Sequence, residues 1–175
     1  MNILGMLSKN RMTVLRVFLY LAMAATVIFI FVNSSLPPEL SSEQSDAVGG
    51  FIASIIPPDT AVGSFILDNL RKIAHFTEYG LLGIEIAIYV TVFGEKKRVR
   101  RALSALPVPL FVGFTDETIQ IFSGRGPEIS DVWIDIGGFI FFSLLAYGGL
   151  ALILLAVRLV KYKQREKEDK ATENK

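Results

Sequence analysis

The sequence predicts an all-α membrane protein: a bundle of four transmembrane helices, with short amphipathic helices in the outer loop between the first two. Three observations predict it. The 175 residues are 51% hydrophobic and only 20% charged, and the mean hydropathy is +0.47. Four stretches stay apolar over roughly the 20 residues that a helix needs to cross a bilayer core of about 30 Å. Lys and Arg then gather at alternate ends of those stretches.

The first span runs from about Thr13 to Val32. A secretory signal is the competing reading, because Lys9, Arg11 and Arg16 precede the apolar run. The run is longer than a usual signal core, however, and ends in Phe31-Val32-Asn33-Ser34-Ser35 rather than a small-x-small cleavage site. A retained helix is expected. The second span covers about 72–93, the third about 102–122 and the fourth about 131–157. Pro107 and Pro109 should bend the third near one end. Residues 1–160 are thus read as one four-helix transmembrane domain, and 161–175 as a charged, disordered cytoplasmic tail.

Orientation follows from the basic residues. Fifteen of the eighteen Lys and Arg lie before or in the first turns of the first span, between the second and third, or after the fourth. Only Arg71, Lys72 and Arg125 fall on the opposite side. Both termini are therefore expected in the cytoplasm. The basic runs lack interleaved stacking aromatics, so nucleic acid is not expected as a partner. No cysteine is present, which excludes disulfides, thiol nucleophiles and cysteine metal sites.

The outer segment from Asn33 to Arg71 has a pattern of its own. Val48, Phe51, Ile52, Ile55 and Ile56 follow helical spacing, and Pro57-Pro58 ends the run. Val62, Phe65, Ile66, Asn69 and Leu70 repeat the spacing after Asp59, the expected N-cap. Neither piece is long enough to span. They are expected to lie in the membrane interface or to fold over the bundle as a lid.

Ionisable residues inside spans cost roughly 2.5–3.5 kcal/mol each at a helix centre on insertion scales. Here they recur at matching depth. Arg71, His75, Glu78 and Glu85 share one face of the second helix, and Gly113, Asp116, Glu117 and Gln120 one face of the third. Asp131, Asp135 and Gly138 share a face of the fourth. The turn Ser123-Gly124-Arg125-Gly126-Pro127 places a glycine-flanked arginine beside them, and Ser130 is the expected N-cap of the fourth helix. Two readings stand side by side: a structural network that holds four helices together, and a ligand, metal or catalytic site. Charge balance favours the second. Glu78, Asp116, Glu117, Asp131 and Asp135 face only Arg71, Lys72, Arg125 and a titratable His75. Such crowding raises carboxylate pKa values or recruits a cation. One imidazole among carboxylates suits a hard divalent cation, but no paired-His ligand set is present, so the metal stays unknown. In an enzyme, Glu78 or Asp116 would be the general base and His75 its partner or a metal ligand. Glu85 lies about 10 Å deeper than Glu78. It is expected to be neutral and bonded to Ser143 or Tyr147. Gly80, Gly83, Gly137, Gly138, Gly148 and Gly149 read as close-packing positions.

Two stretches resemble the signatures of the VanZ-like family. The first is Lys72-Ile73-Ala74-His75-Phe76-Thr77-Glu78-Tyr79-Gly80, and the second Asp116-Glu117-Thr118-Ile119-Gln120 with Gly124-Arg125, Ser130-Asp131 and Asp135. The similarity spans about residues 13–157. Asp135 departs from it, since the family pattern often carries Asn there. The resemblance implies a bacterial integral membrane protein connected with resistance to glycopeptides of the teicoplanin type. It points to Lys72, His75, Glu78, Tyr79, Asp116, Glu117, Gln120, Arg125, Asp131 and Asp135 without giving their roles. By side-chain chemistry His75, Glu78 and Asp116 are the catalytic candidates, and Lys72, Tyr79, Glu117, Gln120, Arg125, Asp131 and Asp135 the ligand-binding ones. The expected ligand is an anionic, lipid-anchored or glycopeptide-type component of the cell envelope, with membrane lipid as the other partner. A non-enzymatic scaffold or shield, and a small proton- or cation-coupled transporter, are the alternatives.

Overall fold

The computed structural model describes residues 9–93 and 98–173. They form seven helices and, among the described residues, no strand: α1 (Lys9–Ser35), α2 (Pro38–Ile55), α3 (Ala61–Asp68), α4 (Leu70–Phe93), α5 (Arg98–Ala105), α6 (Pro107–Phe122) and α7 (Ile129–Glu173). The expected all-α class is therefore what the chain adopts.

Three helices are long and apolar enough to cross a membrane: residues 10–35, 70–93 and the first 38 residues of α7. The third expected span differs. It is not one helix over 102–122 but two, α5 and α6, which break at Leu106. Proline explains the break. Pro107 opens α6 and Pro109 follows two residues later, so neither can supply the N–H that would continue α5 into α6. The remaining α6 has 16 residues, about 24 Å of helix, which is short of a full bilayer core.

Two further expectations shift. The tail is not irregular, because α7 continues to Glu173. Residues 161–173 hold no Gly or Pro and are rich in Lys, Glu, Arg and Gln, all good helix formers. The N-cap of α3 is Thr60, one residue after Asp59. Its side chain accepts from Gly63 N at 3.0 Å. As read from the sequence, α2 stops before Pro57-Pro58, but it begins as early as Pro38.

The centre of the molecule is the pair α4 and α7, which run parallel. His75 meets Asp135 and Gly83 meets Ser143, so the register between the helices is constant. Glycines let the backbones touch. A β-carbon at Gly138 would lie 2.1 Å from the Phe76 carbonyl oxygen, and one at Gly83 would lie 2.4 Å from that of Phe139. At Gly80 the same addition would strike the Phe142 ring at 2.3 Å. Gly148 and Gly149, by contrast, face open space, and Gly137 only reaches the Phe76 ring at 4.0 Å. These three take no part in close packing.

Helices α1 and α6 run antiparallel to that pair. Along α1, Tyr20, Thr26 and Asn33 meet Tyr89, Glu85 and Glu78 in turn. Along α6, Asp116 and Gln120 meet His75 and Arg71. The apolar core is Ile30, Tyr79, Leu82, Val112 and Phe139, one layer deeper than the polar residues. The outward faces are apolar instead, with Phe18, Leu21, Phe111, Phe114, Leu144 and Leu152 all exposed. A surface of that kind needs lipid rather than water around it. At the far end, Arg101 donates to the last α4 carbonyl, at Phe93, and Arg16 lies 4.7 Å over the Phe93 ring.

A buried acid–histidine cluster and an open cavity

Each helix of the bundle brings polar groups to one end. On α4 the first turns carry Arg71, His75, Glu78 and Tyr79. On α6 the last turns carry Asp116, Glu117 and Gln120, all buried, and on α7 the first turns carry Asp131 and Asp135, likewise buried. The fourth contributor went unnoticed in the sequence. Helix α1 ends in Asn33 and Ser34, and Ser34 is buried at 4% exposure. The Asn33 amide donates to Glu78 at 2.8 Å, and the Ser34 hydroxyl donates to Asp116 Oδ1.

The cluster has two layers. In the deeper one His75 Nδ1 lies 3.1 Å from Asp135 Oδ1 and 3.6 Å from Asp116 Oδ2. Tyr79, with no exposed surface, stands beside them. In the shallower layer Gln120 is the hub: it accepts from Arg71 Nη2 and donates to Glu117 Oε1 at 3.2 Å. Glu117 Oε2 accepts the backbone N–H of Glu128, at 2.7 Å, just before α7 begins. Asp131 lies 3.6 Å from Arg71. Ser130 is not the N-cap expected of it. Helix α7 starts at Ile129, and the Ser130 hydroxyl bonds the Glu128 side chain instead.

Arg125 is positioned by the way α6 ends. Gly124 takes φ of 77°, a left-handed conformation. Arg125 N then bonds Gln120 O at 3.0 Å, and Gly124 N bonds Ile121 O at 3.4 Å. This pair of bonds is a Schellman motif, which glycine favours because it has no β-carbon. The turn sends Arg125 back over the bundle, where Nη1 donates to the Asn33 carbonyl at 3.0 Å. Burial, with the Arg71 guanidinium nearby, pushes the Arg125 guanidinium below its usual range; Asp116, Glu117 and Glu78 oppose that shift. Alanine at Gly124 meets no neighbour within 4 Å, so its whole cost is backbone strain of about 1–2 kcal/mol. Denaturant titration in detergent should show that loss for Gly124→Ala. For Gly126→Ala, also in open space, it should show less than about 0.5 kcal/mol.

Above the cluster an open cavity of about 240 Å³ lies between α1, α2 and α4. Asn33, Ser34, Arg71, His75, Glu78 and Arg125 line one wall, and Ser41, Gln44, Ser45 and Val48 of α2 line the other. Of the charged and titratable residues singled out from the sequence, Arg71, His75, Glu78 and Arg125 reach this cavity. Tyr79, Asp116, Glu117, Gln120, Asp131 and Asp135 lie buried behind them. Lys72 is exposed and stands outside the cluster. Glu85 is also apart. Its partner is not Ser143 or Tyr147 but Thr26 of α1, at 3.0 Å, while the Ser143 hydroxyl donates to the Gly83 carbonyl. Helix α1 packs on that face of α4, and the glycine contacts turn Ser143 toward the α4 backbone.

Apolar helices of spanning length, lipid-facing outer surfaces and polar groups turned inward define an integral membrane protein with a buried acid–histidine cluster at one end of its bundle. Residues 17–156 match the family model described as VanZ/LLP1. The chain belongs to that family. No curated protein and no solved structure matches it.

Proposed function

We propose that the protein acts at the outer face of the bacterial cytoplasmic membrane, where it takes the anionic head of a lipid-anchored envelope ligand into the cavity beneath α2. Both termini are then cytoplasmic, in keeping with the clustering of Lys and Arg at that side. One observation carries the reading: two guanidiniums, Arg71 and Arg125, line the same small cavity as His75 and Glu78. Arg is suited to phosphate and carboxylate because its planar fork offers parallel donors. Helix α1, whose outer face is apolar and exposed, flanks the cavity with α2 and α4, so a headgroup can enter while its chain stays in the bilayer. In a reaction on that ligand, Glu78 serves as general base beside His75. Through such a ligand the protein contributes to resistance against glycopeptides of the teicoplanin type.

The cysteine-free chain makes orientation testable. A single Gly126→Cys, at an exposed position, should react with a membrane-impermeant maleimide in intact cells. Binding is tested with a long-chain polyprenyl phosphate and purified protein in nanodiscs. Arg125→Ala removes a charge-assisted hydrogen-bond donor worth about 1.5–3 kcal/mol, so the affinity should fall about 10- to 100-fold with helix content kept. Absence of external labelling would overturn the orientation, and unchanged affinity would overturn the anion site.

A further inference from the structure

We infer that His75, Asp116 and Asp135 form a binding site for one divalent metal ion of the Zn²⁺ or Mn²⁺ type, set between α4, α6 and α7. One atom from each of the three lies within 4.8 Å of the others, and all three residues are buried. The separations fit a metal. Bonds of about 2.1 Å from a tetrahedral ion to N and O ligands place neighbouring ligand atoms about 3.4 Å apart. His75 Nδ1 stands 3.1 Å from Asp135 Oδ1 and 3.6 Å from Asp116 Oδ2.

Unsatisfied atoms give the second, independent reason. Asp116 Oδ2, Asp135 Oδ2 and the Tyr79 hydroxyl are buried without a hydrogen-bond partner. Tyr79 and Asp135 have no exposed surface, and both oxygens point at the space over Gly113. A β-carbon there would lie 3.1 Å from Asp135 Oδ2 and 3.7 Å from the Tyr79 hydroxyl. Buried polar atoms with no partner are costly, and a dication beside them satisfies two carboxylates at once. The Tyr79 hydroxyl then orients Asp135, as groups around a metal's own ligands commonly do.

His75 also meets the geometric requirement with Glu117 and Asp131. That set is committed elsewhere: Glu117 bonds Gln120 and the Glu128 N–H, and Asp131 faces Arg71. The deeper set keeps two carboxylate oxygens, Asp116 Oδ2 and Asp135 Oδ2, without a hydrogen-bond partner. Its imidazole borders the cavity, whereas Asp116 and Asp135 have no exposed surface. A site with one imidazole and two carboxylates suits Zn²⁺ or Mn²⁺ better than Mg²⁺, which prefers oxygen and water. This site stands on its own residues and is read without any anionic ligand, so its failure and that of the cavity reading are separable.

The test uses the full chain in detergent, purified without a histidine tag and stripped with a chelator. Zn²⁺, Mn²⁺ and Mg²⁺ are titrated calorimetrically, and metal content after gel filtration is measured by mass spectrometry. One equivalent of Zn²⁺ or Mn²⁺ per chain should be retained. Asp116→Asn and Asp135→Asn should each weaken binding about tenfold or more, at least the cost of losing an outer partner. Glu39→Gln, exposed on α2, should leave it unchanged. Where an Asn variant fails to fold, X-ray absorption on the loaded wild type decides, because the chain has one histidine. A single imidazole among oxygen ligands supports the site. Absence of stoichiometric binding, binding unaffected in both folded variants, or a metal without imidazole overturns it.

Discussion

Valine at Gly138 should separate α4 from α7 and leave the protein unable to hold its fold. The β-carbon would lie 2.1 Å from the Phe76 carbonyl oxygen and 3.0 Å from the Phe76 α-carbon. Both atoms belong to a helix backbone, so no rotamer change relieves the clash. Overpacking a well-filled core usually costs about 1–3 kcal/mol, and here the relief has to come from moving a whole helix. The expected loss lies at or above the top of that range. It should be read as a fall in thermal midpoint and as aggregation during purification. Gly149→Val is the control, since nothing lies within 4 Å of that position; its midpoint should stay near that of the wild type. Gly80→Ala should be milder than Gly138→Val, because the obstacle is the Phe142 side chain rather than backbone.

Leucine at Gln120 should destabilise the bundle nearly as strongly, for an electrostatic reason. Gln120 has no exposed surface and joins Arg71 to Glu117. An interhelical hydrogen bond within a membrane averages only about 0.6 kcal/mol in measured cycles. That average does not decide this case, because leucine takes a partner from both Arg71 and Glu117 and leaves them only Asp131 and the Glu128 N–H. Removing a partner from a buried polar group costs about 1–3 kcal/mol, so about 2–3 kcal/mol is expected from Gln120→Leu. Adding Arg71→Met should restore part of it, since the two residues act as one network and their effects do not add. Additive losses in unfolding titrations would show that the bridge between α4 and α6 contributes little.

Most of the fold was legible in the sequence because apolar length and helical spacing carry it. The stripes that unite His75 with Glu78, and Asp116 with Gln120, are regular enough to place three helix faces against one another. The missing contributions had no such periodicity. Asn33 and Ser34 close an apolar run and read as the end of a span, although they bond Glu78 and Asp116. The partner of Glu85 depended on which helix packs against that face of α4, and spacing within α4 is silent on that point. The glycines divided by their neighbours: Gly80, Gly83 and Gly138 face α7 or α4, while Gly148 and Gly149 face open space. Pro107 and Pro109 signalled a bend, but the structure shows a full break that shortens the third segment.

That short segment bears on how the protein enters the bilayer. Helix α6 has 16 residues and carries Asp116 and Glu117, each roughly 2.5–3.5 kcal/mol against partition into lipid near a span centre. Neither carboxylate has a partner on its own helix apart from Gln120. Inserted alone, α6 would be held poorly. Its partners arrive from both directions of synthesis, with Ser34 and His75 made before it and the Glu128 N–H after it. The membrane-inserted state of α6 is therefore settled late, once α7 has emerged, and a chain truncated before α7 should fail to retain α6 within the bilayer.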